Sequence, residues 1–354
     1  MFQVHVVLPS GHHKCLSIPG SSKVRDLRTA AQQAFGQKLL RLATANHQIL
    51  ANPNESLEAA GLQDGECLTA VVLQPQLAAT PRAFAFWCPG ADKILTWGYP
   101  TYGGDSSTVQ AKLRSVQQIH ATGGAFAAIL ADGSVVTWGL PQFGGDSSGV
   151  QAKLRWVQQI QATERAFAAI LEDGSVVTWG DPECGGDSSA VEAQLKSAQQ
   201  IQATERAFAA ILADGSIVSW GFFAGFFGDD ISAVQAKLLS AQQIQAAQNA
   251  FGAILADGSV VSWGLPEFGG DSSGVQAQLR RVKQIQATGY AFAAILSDGS
   301  VVTWGDPEFG GDSSAAQAKL RNVHQVQATR TAFAAILADG SVVTWGDPPD
   351  GGDS

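Results

Sequence analysis

The phrase AFAAILADGSVVTWG, which stands at residues 125 to 139 and again at 332 to 346, returns in altered form along most of this chain. Its closing Trp-Gly falls at Trp97, Trp138, Trp179, Trp220, Trp263, Trp304 and Trp345, at spacings of 41, 41, 41, 43, 41 and 41 residues. A fixed period of this size signals stacked units that bury their faces only against one another. Anything particular to this chain then lies in what differs between copies, or in the first 75 residues, which do not repeat.

Written from its Gly-Gly, the repeating pattern reads GGDSS-x-VQAKL-x-x-VQQIQAT-x-x-AFAAIL-x-DGSVVTWG, and copies are numbered 1 to 7 by their Trp-Gly, each taken with the connector that follows it. VQQIQAT, AFAAIL and SVVTWG predict three strands, being rich in branched and aromatic residues or in Ala. The Asp-Gly between the last two, as at Asp132 and Gly133, suits a tight hairpin turn with positive φ. In AFAAIL, Phe126 and Leu130 point one way while Ala125 and Ile129 point the other, so both faces are apolar and both must be covered. The connector carries Ser107 with Gln110, Ser148 with Gln151, Ser189 with Glu192, Ser232 with Gln235, Ser273 with Gln276 and Ser314 with Gln317. That spacing is a capping box, and it predicts a short helix of about two turns over VQAKL.

The non-repeating segment has another pattern. FQVHVVL and KCLSI predict a hairpin across PSGHH, and SSKVRDLRTAAQQAFG predicts an amphipathic helix on Val24, Leu27, Ala31 and Phe35. A Ser cap is expected at its start, with Gly36 just past its end. LLRLAT, HQIL and a final CLTAVVL strand complete it.

That order, with RLATANHQIL and ESLEAAGLQDGECLTAVVL as its more specific parts, resembles the ubiquitin-like α+β (β-grasp) fold over residues 1–75. The resemblance implies partner recognition on an apolar patch, which by position falls on Leu8, Ala43 and Val71. Where ubiquitin has a basic tail and Gly-Gly, this chain has LQPQLAAT, so conjugation to lysine is not expected. The bland alternative is a module that only caps the array. In the body, "DG, two apolar residues, then Thr/Ser-Trp-Gly" resembles the regulator of chromosome condensation repeat family. Over residues 76–354 this implies an all-β seven-unit propeller, here with short capped helices in its connectors; an open superhelix of the same units is the other arrangement.

Composition narrows the function. Net charge is −9, and residues beyond 75 carry 16 basic against 26 acidic side chains, which disfavours nonspecific phosphate binding. Nucleic acid is therefore not an expected partner. Cys15, Cys67, Cys88 and Cys184 have neither zinc nor disulfide spacing and read as free buried thiols. The six His residues are scattered, and no phosphate loop or dinucleotide fingerprint occurs. No cofactor or metal is expected. A GGDSS motif that recurs in five connectors cannot mark a unique catalytic serine. No apolar run reaches membrane-spanning length, and the N-terminus lacks a signal-peptide run, so a soluble intracellular protein of cytoplasm or nucleus is expected.

Variation between copies is the remaining signal. The pair after each QAT changes: Pro81-Arg82, Gly123-Gly124, Glu164-Arg165, Glu205-Arg206, Gln248-Asn249, Gly289-Tyr290 and Arg330-Thr331. These pairs would gather on one rim, with Tyr290 as its aromatic member. Trp156 stands where other copies have Ser, Arg or Asn, and the two-residue insertion WGFFAGFFGDDISAVQ adds Phe222, Phe223 and Phe226, which have no counterparts. Together these features point to a non-enzymatic protein-interaction module or adaptor, its head engaging ubiquitin-system receptors. The resemblances also raise nucleotide exchange on a small GTPase, and the substrate-binding part of a HECT-type ubiquitin ligase without its catalytic domain.

Overall fold

The computed structural model describes residues 1–37, 40–46, 49–50, 52–72, 74–89, 93–221, 238 and 240–353. They form two compact units, Met1–Gln76 with Phe86–Ala91, and Leu77–Ala85 with Asp92–Ser354.

In the first unit, β1 (Phe2–Val7) pairs antiparallel with β2 (His13–Ile18), and Gly11 turns the hairpin at φ 85°. Helix α1 (Val24–Phe35) follows, then β3 (Leu40–Ala43) and β4 (Glu66–Val72), in the sheet order β2-β1-β4-β3. β1 and β4 run parallel, with Val4 opposite Glu66. Strand alternation sends Val4, Val6, Leu42, Leu68 and Ala70 to one face, where they meet Val24, Leu27 and Ala31 of α1 in one core. The helix ends on Gly36 at φ 65°, as its sequence requires, but the expected Ser cap is absent. Lys23 holds the N-cap position, and its backbone N–H donates to the Asp26 carboxylate at 2.8 Å. Asp26 thus supplies the N3 half of a capping box, and its charge suits the start of a helix.

Beyond the four-stranded sheet the described residues form seven three-stranded sheets, one per copy, with the middle strand of each in the centre. In copy 3 the strands are Val157–Ala162, Ala166–Leu171 and Val176–Gly180. Phe167 lies opposite Trp179, their rings stacked with centroids 5.2 Å apart. The opposite face of the same sheet shows Ala166, Ala168, Ile170 and Val176, which pack against Phe208 and Trp220 of copy 4. Copies 2 and 3 join likewise, through Ala125, Ala127, Ile129 and Val135 against Phe167 and Trp179. The rule is that the small-and-branched face of one copy seats the aromatic pair of the next.

Each aromatic pair is locked by its surroundings. The indole N–H of Trp179 donates to the Gly144 carbonyl of the preceding copy at 3.1 Å, and Trp138, Trp220, Trp304 and Trp345 repeat this on Gly103, Gly185, Gly269 and Gly310. Gly144 is at φ 85°, and a β-carbon there would sit 2.7 Å from the Phe167 ring. Glycine is therefore required twice over, by the turn and by the ring. Fully burying one such phenylalanine contributes roughly 1.5–3 kcal/mol.

The connectors depart from the expected capped helix. Residues after GGDSS form successive turns, in which the N–H of Val109 donates to Ser106 and that of Lys112 to Val109. Short 3-10 segments such as Pro100–Tyr102 and Pro141–Phe143 lie ahead of the Gly-Gly, and among the described residues after GGDSS one forms, Ser273–Val275. Asp105 accepts from the Ser107 N–H at 2.8 Å, while the earlier serine, Ser106, donates to Gln110 at 3.0 Å. The same hydroxyl position is shared with the preceding strand, as in Thr137 with Ser147 at 3.0 Å, and Gln151 reaches back to the Val135 carbonyl. The polar residues thus tie connector to sheet, which leaves no capped helix to form. The Ser232–Gln235 connector lies outside the described residues.

Candidate interaction surfaces

The variable pairs line up on a backbone ladder. The N–H of Gly123 donates to Glu164 O at 2.7 Å, Glu164 to Glu205 at 2.8 Å, Glu205 to Gln248 at 3.0 Å, Gln248 to Gly289 at 2.9 Å and Gly289 to Arg330 at 2.7 Å. Copies so bonded present their variable side chains about 4.8 Å apart, as adjacent strands do. The ladder starts at copy 2, because Pro81 has no N–H to give Gly123.

The second residue of four of the pairs, Arg82, Arg165, Arg206 and Tyr290, meets a connector. Arg82 lies over the Tyr102 ring at 4.9 Å, Arg165 over Phe143 of the preceding connector at 5.2 Å, and Arg206 pairs with Glu183 of the preceding connector at 3.7 Å. Tyr290 is held between Phe268 of the preceding connector and Phe309 of its own, with centroids 5.1 and 4.6 Å away. Its ring is half-buried in a stack of three rather than free on the rim.

Trp156 is placed differently: it sits at φ 59°, a conformation shared by Ser115, Ser197, Ser240, Arg281 and Asn322, and its side chain is exposed. Phe222, Phe223 and Phe226 lie outside the described residues. In the first unit, Ala43 and Val71 lie on the sheet face away from the core, where Val71 is paired across β3 and β4 with Arg41 and Ala43 with Thr69. Leu8 is not with them; it packs partly buried against the core.

Grooves of about 630 and 600 Å³ run between successive connectors, one including Val109, Lys112, Ser147 and Gln151, the other Val150, Lys153, Ser188 and Glu192. The second is bridged by Lys153 and Glu192 at 3.5 Å. Their repetition makes them part of the stacking plan.

Titratable groups follow the repeat too. Asp132, Asp173, Asp214, Asp257, Asp298 and Asp339 each accept from the hydroxyl and the N–H of the serine two residues on, which holds their carboxyls below the usual aspartate value. Burial pushes His120 down and the Cys184 thiol up. Cys88 and Cys184 are buried, but Cys15 and Cys67 are exposed, contrary to the uniform burial expected of them. They flank His5 across the outer sheet face, where alternation points them away from the core. Among the described residues no group of three or more His, Cys, Asp or Glu is arranged to hold a metal ion, and no helix is long and apolar enough to cross a membrane.

Sequence reasoning missed the two ends of the array. Leu77, Phe84, Leu95 and Trp97 of copy 1 are 41% to 62% exposed, although their counterparts Ile160, Phe167, Val177 and Trp179 are buried. In copy 7, Ile336 and Val342 are 39% and 54% exposed where Ile170 and Val176 are buried. The residue types are those of every copy, so only their place in the series could have pointed to them.

No family model matches the chain, and no curated protein does. Among solved structures it is similar to Prp20p from Saccharomyces cerevisiae, described with its binding to Gsp1p and histones, at 15% identity and TM-score 0.41 over 76% of this chain and 81% of that one. It is also similar to the ectodomain of the receptor kinase CR4 from Physcomitrella patens, at 15% identity and TM-score 0.43 over 77% and 73%, and to the computationally designed Ika8 protein, at 14% and 0.40 over 84% and 87%. At these scores the likenesses assign no activity, and the description of the fold rests on its own strands and registers.

Proposed function

We infer that this chain is a non-enzymatic protein-interaction scaffold: a β-grasp module of ubiquitin-like type joined to an array of chromosome-condensation-type repeats. The observation that carries the reading is the ladder from Gly123 to Arg330, which ties together the backbone of six of the seven variable pairs while leaving side chains such as Glu164, Arg165, Glu205 and Arg330 exposed. A rigid frame with variable side chains in register is how stacked-repeat proteins display a binding surface. The outer face at Ala43 and Val71 serves as a second, smaller surface, for which a ubiquitin-system receptor is the partner of choice. Ala43 gives that face little apolar area, so its affinity is low.

Affinity capture from a cell extract tests the reading, comparing the intact chain with one carrying Glu164→Ala, Arg165→Ala, Glu205→Ala and Arg206→Ala, and with one carrying Val71→Asp. A partner lost with the first variant supports recognition on the ladder, and loss of ubiquitin-system proteins with the second supports the adaptor role. Identical capture by all three sinks both surfaces. Accelerated nucleotide release from a small GTPase would replace the scaffold reading with exchange.

A further inference from the structure

The two end faces of the array are unmatched halves of one joint. Six times within the chain, the Ala, Ile and Val face of one copy takes the Phe and Trp face of the next, as the indole bonds and packing clusters record. The first copy offers the aromatic half, Leu77, Phe84, Leu95 and Trp97, with Phe84 and Trp97 already stacked at 5.4 Å. The last copy of this 354-residue chain offers the other half, Ile336 and Val342.

Three further features of the ends match each other. A cavity of about 210 Å³ opens beside Ala332, Ala334, Asp350 and Gly351. The equivalent of Gly351 in copy 6, Gly310, lies against the Phe333 ring, so this cavity is the vacant seat for one more phenylalanine. About 150 Å³ of apolar space already accepts a benzene ring. The last acceptor of the ladder is the Arg330 carbonyl, and neither the Arg330 N–H nor the Pro81 carbonyl takes part in a ladder bond among the described residues. Charges agree as well: Arg165 and Arg206 each reach back to the preceding connector, at Phe143 and Glu183, and the same reach from Arg82 would bring it to Asp350.

We propose that the first copy of one chain docks on the last copy of a second chain, continuing the array head to tail. A second molecule rather than the chain's own far end is the occupant, because both faces stand exposed together while all six internal joints are made. A second molecule repeats the internal joint unaltered. Such a contact is heterologous, so it gives open linear assemblies rather than a closed dimer.

Sedimentation velocity and light scattering on the full chain, over a wide range of concentration, test this. The wild type should grow in mass with concentration. Phe84→Asp, which spoils only the aromatic half, and Val342→Asp, which spoils only the other, should each shift the onset of association about tenfold or more in concentration. Mixing the two variants should give dimers that grow no further, because each supplies the half the other lacks. If either variant loses its circular dichroism signature, the charge pair carries the test: Arg82→Glu and Asp350→Arg each weaken association, and the double substitution restores it. A wild type that stays monomeric at every concentration, its ends open or closed on each other, overturns the proposal. So do assemblies unaffected by both faces.

Discussion

Phe167 with Trp179 and Phe84 with Trp97 are the same pair of residues at the same positions of the same repeat, yet one pair is sealed between sheets and the other faces solvent. The stacking distances, 5.2 and 5.4 Å, barely differ. What differs is the neighbour: Gly144 and the alanine face of copy 2 cover the first pair, and nothing equivalent covers the second. The energetic worth of an aromatic pair here is therefore a property of the joint, as expected for an array whose stability is a sum of nearest-neighbour interfaces.

The largest effect should separate interior from end. Phe208→Ala removes a fully buried ring and should cost about 3–5 kcal/mol, whereas Phe84→Ala at the open end should stay within about 0.5 kcal/mol. Site-resolved hydrogen exchange is the suitable measurement, since long arrays need not unfold in one step. Equal losses at both positions would erase the distinction. Next, Gly185→Ala forces a β-carbon to within 2.7 Å of Phe208 at φ 88°, while Gly351→Ala meets the same positive φ with nothing within 4 Å. Backbone strain alone costs about 1–3 kcal/mol, so Gly351→Ala should show that much and Gly185→Ala visibly more, read as urea midpoints.

A smaller effect should ignore position altogether. Trp156 holds a bulky side chain in the left-handed region without burying it, so Trp156→Asn should stabilise by about 1 kcal/mol. A rise in melting temperature checks this, and a fall would show that the indole makes contacts worth more than its strain. The weakest expected difference is in acid. Each Asp-Gly-Ser turn has an aspartate held below 3.8, so its contribution to stability is complete above the unfolded value and is lost as pH falls through the folded one. Asp339 in the end copy should titrate like Asp132 and Asp298 in the interior, because the serine bonds are internal to each turn. Carboxyl chemical shifts followed below about pH 4 would show it, and an outlying Asp339 would tie these turns to the joints after all.

The repeat was legible because period, Asp-Gly turn and two-faced strand each demand a particular local geometry. Gly133 at φ 75° and the buried Ala125 and Phe126 are what those demands produce. The connector was misread because Ser107 and Gln110 satisfy a helix-capping spacing while the physical partner of Gln110 is Ser106, one residue earlier. That choice depends on Thr96, ten residues back, a contact no local window contains. The same limit applied to the rim: Tyr290 differs from its counterparts in sequence, but its stacking on Phe268 and Phe309 needs both the preceding connector and its own to be in place. In the first unit, alternation placed Ala43 and Val71 correctly on one face, whereas Leu8 follows the end of β1 and turns toward the core.

Each interior copy carries both a seat and the ring that fills a seat, and the ladder asks only for one N–H and one carbonyl from each. Excising or inserting a whole copy at the DNA level would accordingly bring together two surfaces that already fit, with no compensating change elsewhere. Gene rearrangement can tune the number of displayed side-chain pairs as freely as point mutation tunes their chemistry, and near-identical neighbours, which promote such exchanges, keep that route open.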